Sequence, residues 1–396
     1  MTARPIYLDN HATTRVDERV LAAMTPYFLE EYGNPGSVGH LFGEAAREAV
    51  EKARESIAAG LGAEASEIVF TSGATESNNL AIRGILGQRR RRGDHVISVT
   101  TEHKAVLDPL AKLGRSGFEV TLLSPQQQGA ANAGQIDPQQ VADALRDDTA
   151  LVSIMAANNE IGVLHPIAEI GRICQERGVP FHCDATQAVG KTPLDFHALG
   201  VDLASFTAHK IYGPKGCGAL YVRKRGKRIR LEPQIDGGGQ EKGVRSGTLN
   251  VPGIIGLAAA LRLCLDEMAT EMPRQAQLRD QLLAGLQSAI DGVTLNGPEC
   301  TPQLRLAGNL NVSFAGVDGE ALMMNVREIA VSSGSACTSA NPEPSHVLQA
   351  IGLSEDATRS SLRFGLGRFT TAEHIEFAVT HVAAAVSRLR KLVKPT

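Results

Sequence analysis

The chain has 396 residues, of which 43% are hydrophobic and 21% charged; these are the proportions of an ordinary folded protein and exclude a disordered or fibrous one. Lys and Arg number 40 against 43 Asp and Glu, so the net charge of -3 gives no global pull toward nucleic acid or an anionic membrane. Glycine, at 40 residues, exceeds an average share of roughly 7% and points to tight turns or close backbone approaches; Trp is absent and aromatics are only 4%, which leaves no stacking platform for single strands.

In chain order, the opening MTARPIYLDN lacks the apolar core of a signal peptide. A helix follows, because Ala46, Ala49, Val50, Ala53, Ile57 and Leu61 recur at three- and four-residue intervals with charges between them. Strands are then expected at Glu67–Phe70, His95–Thr100, Phe118–Leu123, Leu151–Met155, Val179–Asp184, Leu203–Ala208 and Gly218–Val222, most of them separated by helical segments. Such alternation predicts an α/β fold with a mostly parallel sheet covered on both faces. Ligands of such sheets bind beyond the carboxyl ends of the strands. A long helix is expected from Pro252 to Leu286, with a kink or break at Pro273. Its apolar start, Val251 to Leu265, contains Pro252 and Arg262 and is too short to span a bilayer. Beyond it come a strand at Asn309–Phe314 and helices at Gly319–Asn325 and Ala372–Leu392, with a domain boundary near residue 262. The basic runs Arg89–Arg92 and Arg223–Arg230 read as solvated turns.

The six cysteines are Cys174, Cys183, Cys217, Cys264, Cys300 and Cys337, and no two are closer than nine positions. No C-x-x-C pair therefore exists for zinc or dithiol chemistry. A cytosolic setting with reduced thiols is the default reading. The eleven histidines never reach a dense metal spacing.

Four stretches carry candidate chemistry. In Phe70-Thr-Ser-Gly-Ala-Thr-Glu-Ser, a strand gives way to small residues and then a helix, which is the layout of a phosphate cradle. Taken alone, it reads first as a helix capped by Thr75 or Ser72. Asp184 ends an apolar strand, where an ionised carboxylate suits a protonated partner such as a pyridinium nitrogen; alone, it reads as an Asp opening a turn. Lys210 leaves another apolar strand, and a partly desolvated lysine has a lowered pKa and forms Schiff bases. Thr207 and His209 flank it with phosphate-binding groups, and His103 falls at a third strand end. Three reactive types at three strand ends argue for one shared site. Cys337 lies in Val331-Ser-Ser-Gly-Ser-Ala-Cys-Thr-Ser-Ala-Asn-Pro, among small residues unlike those around a core cysteine. Ala185–Thr192 misses the P-loop pattern by its first glycine, is followed by Pro193, and reads as a chance match; no G-x-G-x-x-G occurs.

Ten ordered motifs then carry a resemblance: YLDNHATT, GNPGS around Asn34, TSGATESNNLAI, TEHKAVL, NNEIG, DATQAVGK, HKIYGPKG, GGGQEKGVRSGT, SSGSACTSA and LRFGLGRFTT. Together they resemble the NifS/IscS-like cysteine desulfurases, which use pyridoxal 5'-phosphate (PLP) on the fold-type I aminotransferase scaffold. The resemblance implies a large PLP-binding domain at 15–262 with a seven-stranded sheet, and a smaller α+β domain from 1–14 and 263–396 that carries the Cys337 loop. It implies that Lys210 holds PLP, that Asp184 pairs with its pyridine nitrogen and that His103 stacks on its ring and assists proton transfer. Asn159 and Gln187 would bond the phenolic-oxygen region. Ala74, Thr75, Thr207 and His209 would hold the phosphate, and Thr248 would reach the phosphate of a neighbouring subunit in a homodimer. Arg363 would take the substrate carboxylate, with Asn34 nearby. Cys337 would attack the sulfur of L-cysteine, become a persulfide, and deliver sulfur to an iron–sulfur scaffold protein or other acceptors; it would also be a transient iron–sulfur ligand shared with that scaffold. Nucleic acid and membrane are not expected partners, and the expected compartment is the cytoplasm. Thr207-Ala-His stands where relatives often have Ser-Gly-His, with the hydroxyl retained. The chain stops at Lys391-Leu-Val-Lys-Pro-Thr, where the IscS branch usually carries a further tail that docks its scaffold protein. The rival readings are another PLP enzyme on this scaffold, such as a selenocysteine lyase or an aminotransferase, a nucleotide switch built on Ala185–Thr192, and a catalytically silent sulfur-transfer scaffold.

Overall fold

The structure, a computed structural model, describes residues 5–87, 93–226, 229–333 and 344–393. In chain order the strands are β1 (Ile6–Tyr7), β2 (Ile68–Thr71), β3 (His95–Val99), β4 (Glu119–Leu123), β5 (Thr149–Ser153), β6 (Phe181–Asp184), β7 (Leu203–Thr207), β8 (Gly218–Val222), β9 (Val293–Leu295), β10 (Asn309–Phe314), β11 (Ile329–Ala330), β12 (Ser332–Ser333) and β13 (Ser361–Gly365).

Seven of them form one sheet in the order β2-β8-β7-β6-β5-β3-β4. Every pair from β7 to β4 is parallel, and β8 alone runs against its neighbours β7 and β2. The strands β3, β5, β7 and β8 are buried at every position, as expected where helices cover both faces. Along β3, Ile97 and Val99 join one apolar cluster while Val96 joins another on the opposite face. The first cluster takes Val50 and Ile57 from helix Leu41–Gly60 and Ile254 and Leu257 from helix Val251–Ala289. The second takes Leu80 and Ile82 from helix Ala74–Leu86 and Val106 and Leu110 from helix Lys104–Arg115.

A second sheet has the order β12-β13-β10-β9 and is antiparallel throughout. Its apolar face packs on Ile375, Val382 and Val386 of helix Ala372–Val393 and on Leu278, Leu282 and Leu286 of the long helix. The N-terminal strand β1 pairs with β11, and a bridge joins Asp9 to Gly365 at the end of β13. Residues 6–14 thus run from this smaller sheet to the edge of the larger one.

The sequence expectations hold for the seven-stranded, mostly parallel α/β architecture, and Gly218–Val222, Asn309–Phe314 and Gly319–Asn325 match their expected bounds. Of the kink or break expected at Pro273, the break does not occur: one helix runs from Val251 to Ala289 with Pro273 inside it. Its two halves are held by different cores, Leu257 and Leu261 by the larger sheet and Leu278 and Leu282 by the smaller. No helix among the described residues is long and apolar enough to cross a membrane.

Candidate active site

The parallel strands of the large sheet all end at one edge. Asp184 closes β6, Thr207 closes β7, and His103 stands four residues beyond the end of β3. Gly218, which opens the reversed strand β8, pairs with both Thr71 and Thr207, so β2 also ends there. The topology thereby brings Asp184, Lys210 and His103 to a common edge, although they are spread over more than a hundred positions.

Asp184 is 5% exposed. Its Oδ2 accepts from Asn78 Nδ2 at 2.8 Å and its Oδ1 from the Thr186 amide at 3.0 Å. Beside it lies Glu102, wholly buried, with Oε1 accepting from the Met155 amide and Oε2 without a partner among the described residues. Burial, then the charge of Asp184, pushes the Glu102 carboxyl well above its ordinary range. Burial and the neighbouring Asp184 thus both favour the protonated form of Glu102.

Lys210 sits on the short turn Ala208–Lys210, and its Nζ donates to the carbonyls of His11 and Ala12, each at 2.6 Å. The next turn holds Tyr212 at φ 67, a backbone state that aromatic residues rarely adopt. The Thr14 hydroxyl fixes it by accepting from the Tyr212 amide at 2.8 Å. His103 caps helix Lys104–Arg115, its Nδ1 accepting from the Ala105 amide at 3.0 Å. That bond assigns the neutral tautomer with the proton on Nε2. Burial lowers the His103 pKa in the same direction.

At the end of β2, helix Ala74–Leu86 starts on Gly73, whose φ is 154 and whose end carries no side-chain cap. The expectation that Thr75 or Ser72 caps this helix is therefore corrected: the Ser72 amide instead donates to Glu76 Oε2 at 2.8 Å. A Cβ on Gly218 would stand 2.6 Å from the Gly73 Cα, so this approach admits only glycine at 218. Thr207 donates through Oγ1 to the Cys217 carbonyl, and His209 contacts Thr13. Burial and the charges of Lys210, Lys215 and Lys191 push the His209 imidazole down to about 4.

Arg363, on β13, is 4% exposed. It donates to Asp9 Oδ1 at 2.7 Å and to the Asn159 carbonyl at 3.2 Å, while its Nε is buried without a partner among the described residues. Asn159 therefore lies beside Arg363. Gln187 is buried next to His11 and Lys191, joined to both through its Oε1.

Ala74, partly covered, and Thr75, exposed, open the helix at this edge. Two other residues singled out from the sequence are not gathered here. Asn34 lies on a separate cavity of about 500 Å³, lined also by Arg47, Gln240 and Lys242 but by none of Lys210, Asp184 or Arg363. Thr248 is exposed on the loop ahead of the long helix. Arg54–Glu241 and Arg245–Glu76 ion pairs hold that loop to the large sheet.

Cys337 lies outside the described residues, but the chain on either side of it is placed. Ser332 pairs with Arg363 on β13. On the far side, Ser345 donates to Glu160 Oε2 at 2.5 Å and His346 Nε2 to the Glu102 carbonyl at 3.0 Å. Of the other cysteines, Cys174, Cys183, Cys217 and Cys264 are buried. Burial pushes Cys174 and Cys217 up to about 12, Cys264 up to about 11 and Cys183 well above its ordinary value. None of these four is a thiolate near neutral pH.

This donor set fits pyridoxal phosphate. A helix N-terminus without a side-chain cap, opened on glycine, suits a phosphate dianion. A buried carboxylate at Asp184 suits a protonated pyridine, and an amine at Lys210 suits a carbonyl carbon. The run Ala185–Thr192, by contrast, forms consecutive turns with no helix behind it and lacks the geometry of a P-loop.

Sequence reading passed over Asp9, His11, Asn78, Glu102 and Lys191. All five do lie inside quoted motifs, but their roles come from contacts across the chain.

Comparison with known proteins agrees with this geometry. The model of the family described as Aminotransferase class-V matches residues 6–377. The chain is 56% identical to "Cysteine desulfurase IscS" of Anaeromyxobacter sp. (strain K), over 98% of this chain and 94% of that one. It is 53% identical to the protein of the same name from Histophilus somni (strain 129Pt), with the same coverage. Among solved structures, one titled "NIFS-LIKE PROTEIN" superposes with a TM-score of 0.88 at 37% identity, covering 97% of this chain and all of that one. Another, "SspA in complex with cysteine", gives 0.78 at 37% identity over 92% of this chain and all of the other.

Proposed function

The chain belongs to the class-V aminotransferase family, and from that premise we propose how its residues carry the reaction. The protein is a PLP-dependent cysteine desulfurase: it takes sulfur from L-cysteine, leaves L-alanine, and passes the sulfur on from an enzyme-bound persulfide to iron–sulfur assembly and other sulfur-transfer pathways. The observation that carries the residue assignment is the convergence of Lys210, Asp184 and His103 on one sheet edge beside a glycine-opened helix N-terminus.

PLP, when bound, supplies an electron sink for the pair released at the substrate α-carbon. Lys210 Nζ is its point of attachment and, once free, the base that moves the α-proton. Asp184, steadied by Asn78 and Thr186, keeps the pyridine nitrogen protonated. The amides of Ala74 and Thr75, with Thr207 and His209, receive the phosphate. Asn159 and Gln187 would bond the region of its phenolic oxygen, and His103, with its ring proton on Nε2, would stack on the ring. Arg363 takes the substrate carboxylate; Asn34, on its separate cavity in this chain, is not brought to it. Cys337 supplies the thiolate: its sulfur bonds the substrate sulfur, the carbon–sulfur bond breaks, and the carbon keeps the electron pair and takes a proton. The cysteine is left as a persulfide and also serves as a transient iron–sulfur ligand shared with a scaffold protein. The four buried thiols named above cannot take this role.

The finer assignments rest on the same reading. Residues 15–262 form the large domain, and 1–14 with 263–396 the small one. Thr248 serves a partner subunit in a homodimer, the acceptor is an iron–sulfur scaffold protein or another sulfur acceptor, and the compartment is the cytoplasm. The exposure of Thr248 supports its reaching beyond its own chain. The reading is tested by the visible absorption of the purified protein: a band in wild type that is lost in Lys210→Ala supports the attachment, and a band that survives in Lys210→Ala contradicts it.

A further inference from the structure

We propose that Lys191 is a positioning residue for this reaction, acting on Lys210 by its charge and through one chain of hydrogen bonds, Lys191–Gln187–His11–Lys210. This rests on the reading of Lys210 as the cofactor-bearing lysine.

Lys191 Nζ donates to Gln187 Oε1 at 2.8 Å. The same oxygen meets His11 Nδ1 at 3.1 Å, and because an amide oxygen only accepts, the ring proton sits on Nδ1. With its oxygen held by two donors, the amide turns its nitrogen the other way, and Gln187 Nε2 donates to the His11 carbonyl at 2.9 Å. That carbonyl is one of the two that receive Lys210 Nζ at 2.6 Å. Removing the Lys191 amine leaves Gln187 Oε1 with one donor in a buried setting and frees the amide to turn.

The charges around Lys191 point the same way. Lys210 and Arg363 both disfavour a proton on Lys191. Burial keeps the nearby Cys264 thiol up at about 11 and His11 neutral, so neither supplies an anion. Glu267, Glu271, Tyr212 and Arg368 line the small cavity that Lys191 also lines. Glu267 is already bonded to Arg19 and Arg368, and Glu271 to Arg274 and Gln275. Tyr212 is buried, with its phenol held neutral. Among the described residues, then, no carboxylate pairs with Lys191. Burial first, and then the charge of Lys210, lowers Lys191 to about 7. A cation at Lys191 disfavours a second proton on Lys210, and a neutral Nζ is the form that bonds a carbonyl and accepts the α-proton.

The test is a pH titration of the visible band of the PLP-loaded protein. Lys191→Met is expected to raise the titration midpoint by about one pH unit, because a like charge has gone. Lys191→Arg, which restores charge and donor, is expected to return it toward wild type. A midpoint unmoved in Lys191→Met, or moved as far in Lys191→Arg, overturns the proposal. Should Lys191→Met fail to fold, Lys191→Gln, neutral but still a donor, is read in the same way. A wild-type protein without a band, or a Lys210→Ala protein that keeps one, strikes the assignment of Lys210 instead.

Discussion

Asn78 Nδ2 donates to Asp184 Oδ2 at 2.8 Å, tying the carboxylate that ends β6 to the helix that opens on Gly73. One side chain thus links the two ends of the proposed cofactor site, Asp184 and the helix start. Asn78→Ala removes a donor from a buried carboxylate, a loss of about 1–3 kcal/mol. We expect PLP to be held roughly tenfold more weakly, a change of about 1.4 kcal/mol. Loss of the visible band on serial dilution measures this, and an unchanged dissociation constant contradicts the role.

Glu102 gives a pH prediction with a definite sign. Its folded pKa stands well above the unfolded value of about 4.3, so the folded protein keeps a proton that the unfolded chain has lost. Wild-type stability therefore falls as pH rises above about 4.3 toward the folded value. Glu102→Gln lacks this loss. The melting temperature of the variant minus that of wild type should grow as the pH is raised from about 5 to about 8; a gap that stays flat or shrinks contradicts a neutral Glu102.

Asp9 orients Arg363 through a bond of 2.7 Å in which both side chains are largely covered. Asp9→Ala leaves the guanidinium held within the described residues only by the Asn159 carbonyl. Loss of one charge-assisted bond predicts a KM for L-cysteine raised about tenfold, with a smaller change in kcat. Steady-state alanine formation separates the two, and an unchanged KM removes Asp9 from substrate binding.

Much of the architecture was legible because β/α alternation leaves a strong periodic signal. Strands such as β5 and β8 are short apolar runs between turn residues, and their ends mark the site. Harder to see was β13, because Arg363 interrupts an otherwise apolar strand, SLRFG. Pro273 misled for a different reason, since packing on two cores keeps the helix continuous where local chemistry favours a break. In the site, Lys210 and Asp184 were legible as reactive types at strand ends. His11 and Lys191 were not, because their part depends on a carbonyl and an amide brought together across 176 positions. No periodicity encodes such a contact.

The central claim is that Cys337 takes the sulfur. The most direct measurement is the mass of the Cys337 peptide after one turnover with L-cysteine, alongside alanine release. The account predicts one added sulfur on that peptide for each alanine formed, and neither product in Cys337→Ser. A Cys337→Ser protein that still forms alanine and releases sulfide at the wild-type rate would contradict it.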